Sequence, residues 1–413
     1  METYLVGGAV RDQLLGLSVV ERDWVVVGAQ AETLLAKNYL QVGKDFPVFL
    51  HPDSGEEYAL ARTEKKRGAG HTGFSVYANP DVSLEQDLAR RDLTINAIAQ
   101  SDGGHLIDPY NGLADIAERC LRHVSEAFVE DPLRVLRVAR FQAKLQHLGF
   151  SIADETLALM RALSESGELL QLSAERIWRE FDKALTETSP SAFIETLYRC
   201  GALQCLLPEL DRRFHHSDNL PDTEERIGPR VLAALRVAAL RNYSGETRWA
   251  IALHSVDGEQ RVKNLNAKVI DKGPTKDNLI DRIGQRVKAP KKHQRLAQLV
   301  NRHIDFCLRA TRLKPDTIIE LLDHCDAWRR AEQFEQLLQT AEALIATAPP
   351  AESPTPPLAE QSIALLRTAQ RICSRIGGEE FIAHGVPPQA VGESIRNARK
   401  VQIAKLQQQF KES

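Results

Sequence analysis

Cysteine is scarce and scattered in this 413-residue chain. The six cysteines, at 120, 200, 205, 307, 325 and 373, form no Cys-x-x-Cys pair. That argues against structural zinc and against a disulfide framework, and it fits a reducing cytoplasmic compartment. No stretch holds eighteen apolar residues in a row, and no apolar segment follows a basic start. Neither a membrane span nor a secretory signal is therefore predicted. A strong net charge is missing too. The formal value of −3 announces no polyanion partner, so any such site must be a local patch. One patch is visible at 261–312, with fourteen Lys/Arg against four Asp/Glu; a solvated basic face and a polyanion-binding surface both fit it. A hydrophobic content of 43% over this length is enough for two or three domains with ordinary cores.

What the chain does have is concentrated near its start: Tyr4-Leu-Val-Gly7-Gly8-Ala-Val-Arg11-Asp12, then Glu21-Arg-Asp23-Trp-Val-Val-Val-Gly28. A Gly-Gly turn follows a short apolar strand, and glycine lets backbone N–H groups approach a ligand closely. The helix predicted after it would turn its positive end toward phosphates. Glu21 and Asp23 are two apart, so on a strand both carboxylates share a face. Paired carboxylates beside a phosphate cradle are how a protein holds Mg²⁺ against a nucleotide.

Further along, Val25-Val-Val-Gly28, Val48-Phe-Leu50 and Glu57-Tyr-Ala-Leu-Ala61 read as strands, with Glu57 on the face of Ala59 and Ala61. From about 130 the pattern turns helical, with Leu133, Leu136, Val138 and Phe141 at helical spacing. Ser173 reads as the N-cap of another helix. Most of 225–345 and 358–410 is helical as well, and the Pro-rich segment 347–357 is a loop between helices. No internal repeat is present.

Leu5-Val-Gly-Gly-Ala-Val-Arg-Asp12 with Glu21-x-Asp23 resembles the core of the bacterial class II CCA-adding enzymes, tRNA nucleotidyltransferases of the polymerase-β-like superfamily. The likeness continues through Asp45-Phe-Pro-Val-Phe49, Arg90-Arg91-Asp92-Leu-Thr-Ile-Asn96, Asp108-Pro-Tyr-Asn-Gly112 and Glu130-Asp131-Pro-Leu-Arg134-Val-Leu-Arg137-Val-Ala-Arg140. It implies an α+β chain: a polymerase-β-like palm (mixed sheet with helices) at 1–125, an all-α neck at 126–211, and a helical tRNA-binding body at 212–413. The activity implied is addition of C, C and A to the 3′ end of tRNA from CTP and ATP, with Mg²⁺. Glu21 and Asp23 would hold the metal, with Glu57 as a third carboxylate. The family usually has Asp where Glu21 stands. Gly8 and Arg11 would meet phosphates, and Arg91 and Asp92 the phosphate and ribose.

Asp131 and Arg134, three apart and read as neighbours on one helix, form a donor–acceptor pair. Such a pair fits the amino edge of C and A and rejects the carbonyl presented by U and G. By resemblance this is the family's protein template, with Arg137 and Arg140 as further nucleotide contacts. The basic, glycine-bearing segment Arg62–Phe74 resembles the family's flexible loop at full length, which goes with complete CCA addition. The later sequence resembles a degenerate HD domain. Ser255 follows His254 where the family's HD domain has Asp, so phosphohydrolase activity is predicted absent, and His254 and His303 are read as packed helix residues. A poly(A) polymerase and a tRNA-binding protein with weakened catalysis are the alternative readings.

Overall fold

The computed structural model describes residues 1–42, 48–66, 74–215, 227–254, 256, 279–348 and 354–412. Asp45–Pro47, residues 67–73 of the basic loop, Ser255, Asp257, the lysine-rich stretch 261–276 and Pro350 lie outside them. The chain divides into two compact units, Met1–Leu206 and Leu207–Ser413.

The first unit opens with strand β1 (Glu2–Val6), helix α1 (Gly8–Leu14), β2 (Asp23–Val27), α2 (Ala31–Leu35), β3 (Leu40–Val42), β4 (Val48–Leu50) and β5 (Glu57–Leu60). A separate hairpin, β6 (Thr63–Lys66) and β7 (Phe74–Tyr77), precedes α3 (Leu84–Ala89), β8 (Ala99–Ser101) and β9 (Leu106–Ile107). Seven strands form one mixed sheet in the order β3-β4-β5-β2-β1-β8-β9, with β2 and β5 the parallel pair. The run Trp24–Val27 supplies both faces of this sheet, as strand alternation requires. Val25 packs with Val6, Leu88, Ala97 and Ala99 on one side, whereas Val26 packs with Leu34, Phe49 and Leu60 on the other. Two-sided burial accounts for the continuous apolar run. The strand begins at Asp23, so Glu21 stands ahead of it and the same-strand pairing read from sequence does not apply.

Helix α4 (Gly112–Glu118) starts where Asp108 accepts the N–H groups of Gly112 and Leu113 at 2.7 and 2.8 Å. This carboxylate takes up first-turn donors that would otherwise lack partners. Asn111 is left-handed at φ 58°. A Cβ at Gly112 would stand 2.3 Å from the Thr94 carbonyl oxygen, so only glycine lets α4 lie on that segment. The motif Asp108–Gly112 is thus a helix start.

After β10 (Cys120–Leu121) come α5 (Leu133–Leu145), β11 (Ser151–Ile152), α6 (Asp154–Glu165), α7 (Ala174–Thr186), α8 (Pro190–Arg199) and α9 (Ala202–Leu206). Leu133, Leu136, Val138 and Phe141 are all buried on α5. Asp131 is not on that helix: its backbone is extended and Pro132 is the N-cap, because a residue before proline avoids the helical region. Ser173 occupies the N-cap position of α7, but its side chain makes no capping hydrogen bond.

The second unit is helical, with Lys291–Leu308, Ala331–Ile345, Pro356–Cys373 and Pro388–Glu412 as its longest helices. Among the described residues no three His, Cys, Asp or Glu side chains are placed to share a metal ion. His303 is 5% exposed and stacks on His324, ring centroids 6.0 Å apart. Burial pushes it down to about 3, so it is neutral at physiological pH.

Gly112→Ala should lower unfolding free energy in urea by roughly 2 kcal/mol or more, the cost of forcing a Cβ into packed backbone. Gly103→Ala, where a Cβ on an exposed turn would meet nothing closer than the His105 ring at 3.5 Å, should change it by less than about 0.5 kcal/mol. Equal effects would show that the Gly112 contact does not constrain α4.

Candidate active site

Two register pairs build the centre of the site. Val6 at the end of β1 lies opposite Asp23, and Asp23 lies opposite Glu57 on β5. The turn that follows Val6 is therefore placed beside the first residue of β2. Gly7 adopts φ +72°, and a Cβ there would approach Arg91 Nη1 to 2.9 Å. The positive φ demands glycine at this point, and a Cβ would also force the end of Arg91 to shift.

Beside this turn is a cleft of about 720 Å³. Every residue singled out from the sequence lines it except Glu57, namely Gly8, Arg11, Glu21, Asp23, Arg91, Asp92, Asp131, Arg134, Arg137 and Arg140. Glu57 is exposed, one strand over from Asp23. Ten lysine and arginine side chains line the cleft against six carboxylates, so a chain of net charge −3 carries a basic interior suited to a polyphosphate.

Asp23 and Glu21 stand at its acidic edge. The carboxyl of Asp23 is pushed above the ordinary aspartate value, chiefly by the protein packed around it and further by the charge of Glu21, while Arg91 pulls it down. Two mutually repelling carboxylates of hard oxygen donors suit a divalent cation such as Mg²⁺, which would relieve that repulsion.

The arginines are tied down by a chain of bonds that sequence spacing does not reveal. Arg11, 3% exposed, donates from Nε to Asp12 at 2.8 Å and from Nη1 to Asn96 Oδ1 at 2.6 Å. Asp12 also accepts Lys144 from α5 at 2.8 Å. Asn96 Nδ2 donates to Asp92 Oδ1, which also takes the Leu93 N–H, both at 2.9 Å. Asp92 Oδ2 accepts Nε and Nη2 of Arg137 at 2.7 and 2.6 Å. A carboxylate offers about four acceptor positions, so the four of Asp92 are filled from within the protein and none is left for a ribose hydroxyl. These bonds hold Asp92 well below the usual carboxylate range despite burial, Arg137 most of all. The fork of Arg11, read from sequence as a phosphate contact, is likewise engaged by Asp12 and Asn96.

Arg91 sits over Asn96 O at 3.4 Å and pairs with Asp87 at 3.4 Å. Asp87 is fully buried on α3 and holds Arg90 at 2.8 Å as well. Arg134, 7% exposed, donates to the carbonyls of Ala127 and Arg90 at 2.7 and 2.6 Å. Asp131 is held by Arg176 of α7 at 2.8 Å, and Arg140 by Glu180 at 2.7 Å. Asp12, Lys144, Asp87, Arg176 and Glu180 were not identified from sequence. Glu180 alone had a signal: it falls on the apolar stripe of Ile177, Phe181 and Ala184, where a charge calls for a buried partner.

The sequence profile of the Poly A polymerase head domain matches residues 3–122, and that of a probable RNA and SrmB-binding site of polymerase A matches residues 149–214. Among solved structures, an apo CCA-adding enzyme superposes with a TM-score of 0.67 at 20% identity, covering 98% of this chain and 88% of its own. A Thermotoga maritima CCA-adding enzyme complexed with tRNA gives 0.66 at 18%, covering 99% and 90%. A CCA-adding enzyme with CTP gives 0.63 at 21%, covering 97% and 87%. The chain has the fold of the CCA-adding enzymes over nearly its whole length.

Gly7→Ala should cut kcat/KM for nucleotide incorporation at least about tenfold, because a side chain is strained at this positive φ and its Cβ would push the end of Arg91 aside. Steady-state kinetics at saturating primer check this. Unchanged kcat/KM would remove the turn from the machinery.

Proposed function

We propose that the chain is a CCA-adding tRNA nucleotidyltransferase, adding C, C and A in turn to the tRNA 3′ end from CTP and ATP with release of pyrophosphate. One observation carries this reading: the carboxylates Glu21 and Asp23 line the same cleft as Asp131 and Arg134. A site for phosphoryl transfer and a side-chain pair able to read a base edge are joined there, with no nucleic-acid template required. Segment 1–125 is the catalytic head in this proposal, 126–211 the neck that carries the base-reading pair, and 212–413 the tRNA-binding body. Phosphohydrolase activity is absent from it. Cytoplasmic residence fits six cysteines that are all unpaired; among the described residues no helix is long and apolar enough to cross a membrane.

Glu21 and Asp23 would hold Mg²⁺, which supplies charge neutralisation on the triphosphate and a lowered pKa for the attacking hydroxyl. Glu57, opposite Asp23 in register, is the third carboxylate of the proposal. The tRNA 3′ oxygen attacks the α-phosphorus and a new P–O bond forms. The bond from that phosphorus to the bridging oxygen breaks, pyrophosphate leaves, and the hydroxyl proton passes to solvent. Gly8 and the first-turn amides of α1 face the phosphates, and Arg91 adds fixed positive charge. Arg11 and Asp92 act one bond further out, keeping Asn96 and Arg137 in place. Arg137 and Arg140 keep the nucleotide's side of the cleft positive. Asp131 accepts the exocyclic amino group shared by C and A, and Arg134 donates to the neighbouring ring acceptor.

Incubation with tRNA lacking its 3′ terminus, each NTP offered alone and then CTP with ATP, tests the reading. Addition should stop after C, C and A. Long ATP-only tails would identify a poly(A) polymerase, and no addition would identify a binding protein. Asp131→Ala should keep its dependence on divalent metal and admit UTP and GTP with a kcat/KM penalty reduced by about tenfold, one base-edge hydrogen bond to a charged group. Retained exclusion of UTP and GTP would refute the base-reading pair.

A further inference from the structure

Arg176 lines the cleft and makes, among the described residues, the ion pair that holds Asp131. Asp131 sits in extended backbone ahead of Pro132, outside the rigid helix. Two bonds settle its carboxylate: Oδ1 accepts the Leu133 N–H at 3.1 Å, and Oδ2 accepts Arg176 Nη2 at 2.8 Å. The pair is three-quarters shielded, with side-chain exposures of 24% for Arg176 and 21% for Asp131. The bond is therefore stronger than a surface pair, because the local dielectric is lower.

Base reading sets a geometric demand. Arg134 cannot adjust, since Nη1 and Nη2 are each fixed on a carbonyl oxygen. Asp131 must then present its oxygen at a set distance from a stationary guanidinium. Without Arg176 it would keep, among the described residues, only the Leu133 amide and could turn toward Arg137, whose positive form it already favours through space. Arg176 is itself held in register. One turn further along α7, Glu180 is 4% exposed and pairs with Arg140 of α5. Residues four apart share a helix face, so α7 braces α5 and its lead-in segment at two points.

Building on the base-reading proposal above, we propose that Arg176 is the positioning residue for base selection. It fixes the Asp131 carboxylate so that its remaining acceptor positions face the amino group of C or A. It need not touch the nucleotide.

Arg176→Gln and Arg176→Lys, compared with Asp131→Asn, test this on the full chain with tRNA primer. KM and kcat are measured for CTP, ATP, UTP and GTP, alongside thermal unfolding and KM for tRNA. Arg176→Gln should raise KM for CTP and ATP by about tenfold, the scale of one hydrogen bond to a charged group. The same change should raise the UTP-to-CTP ratio of kcat/KM by about tenfold, with kcat and KM for tRNA held within about threefold. Arg176→Lys, which keeps the charge and loses the fork, should fall between wild type and Arg176→Gln, and it carries the test if the Gln variant does not fold. Selectivity unchanged in both Arg176 variants while Asp131→Asn relaxes it would overturn this inference and leave the base-reading pair standing. Selectivity unchanged in Asp131→Asn would remove both.

Discussion

Four donor nitrogens meet on the buried carboxylate of Asp92: the Leu93 amide, Asn96 Nδ2, and two nitrogens of Arg137. The first two belong to the segment that packs beneath the sheet, and the last two to α5. From Asn96 the chain of bonds runs through Arg11 and Asp12 to Lys144, again on α5. Helix α5, which carries Arg134, is thus fastened to α1 through Lys144 and to the Arg-Arg-Asp segment through Arg137. A carboxylate this buried is tolerated only because its acceptors are filled. Removing one partner would leave a desolvated charge, which costs about 3–5 kcal/mol in comparable buried pairs.

This fastening gives the cleft its electrostatic character. Ten cations face inward, yet most are held by a carboxylate or a carbonyl, so they are fixed before a ligand arrives. Preorganised charge stabilises a developing polyphosphate charge without reorganisation at the moment of reaction. Glu21 and Asp23 stand apart from that pattern. They are the carboxylates that a divalent cation can take, and the Asp23 carboxyl is raised chiefly by burial, with the charge of Glu21 adding to it.

Local features were legible in the sequence. Gly7-Gly8, the apolar strand Val25–Val27 and the apolar spacing of α5 are short-range patterns, and each specifies its own element. Most residues of the cleft could be named because they lie in those patterns. Their partners could not, since the bonds span 85 residues for Arg11 to Asn96, 132 for Lys144 to Asp12 and 45 for Arg176 to Asp131. Residue spacing carries no information about such contacts. It also misled in two places. Pro132 keeps Asp131 off the helix, and β2 starts too late to include Glu21. Asp92 and Arg11 were read as ligand contacts because their chemistry suits one, although the fold uses that same chemistry to join α1, the Asp92–Asn96 segment and α5.

The central claim is that the Asp92–Arg137 bond makes the carboxylate edge and the base-reading residues a single site. A double-mutant cycle of Asp92→Asn and Arg137→Gln, read in kcat/KM for CTP, measures it directly. Strong coupling is predicted, on the order of 2 kcal/mol, with the double variant about as impaired as the worse single one. Additive losses would mean that the two residues act independently and would contradict the account.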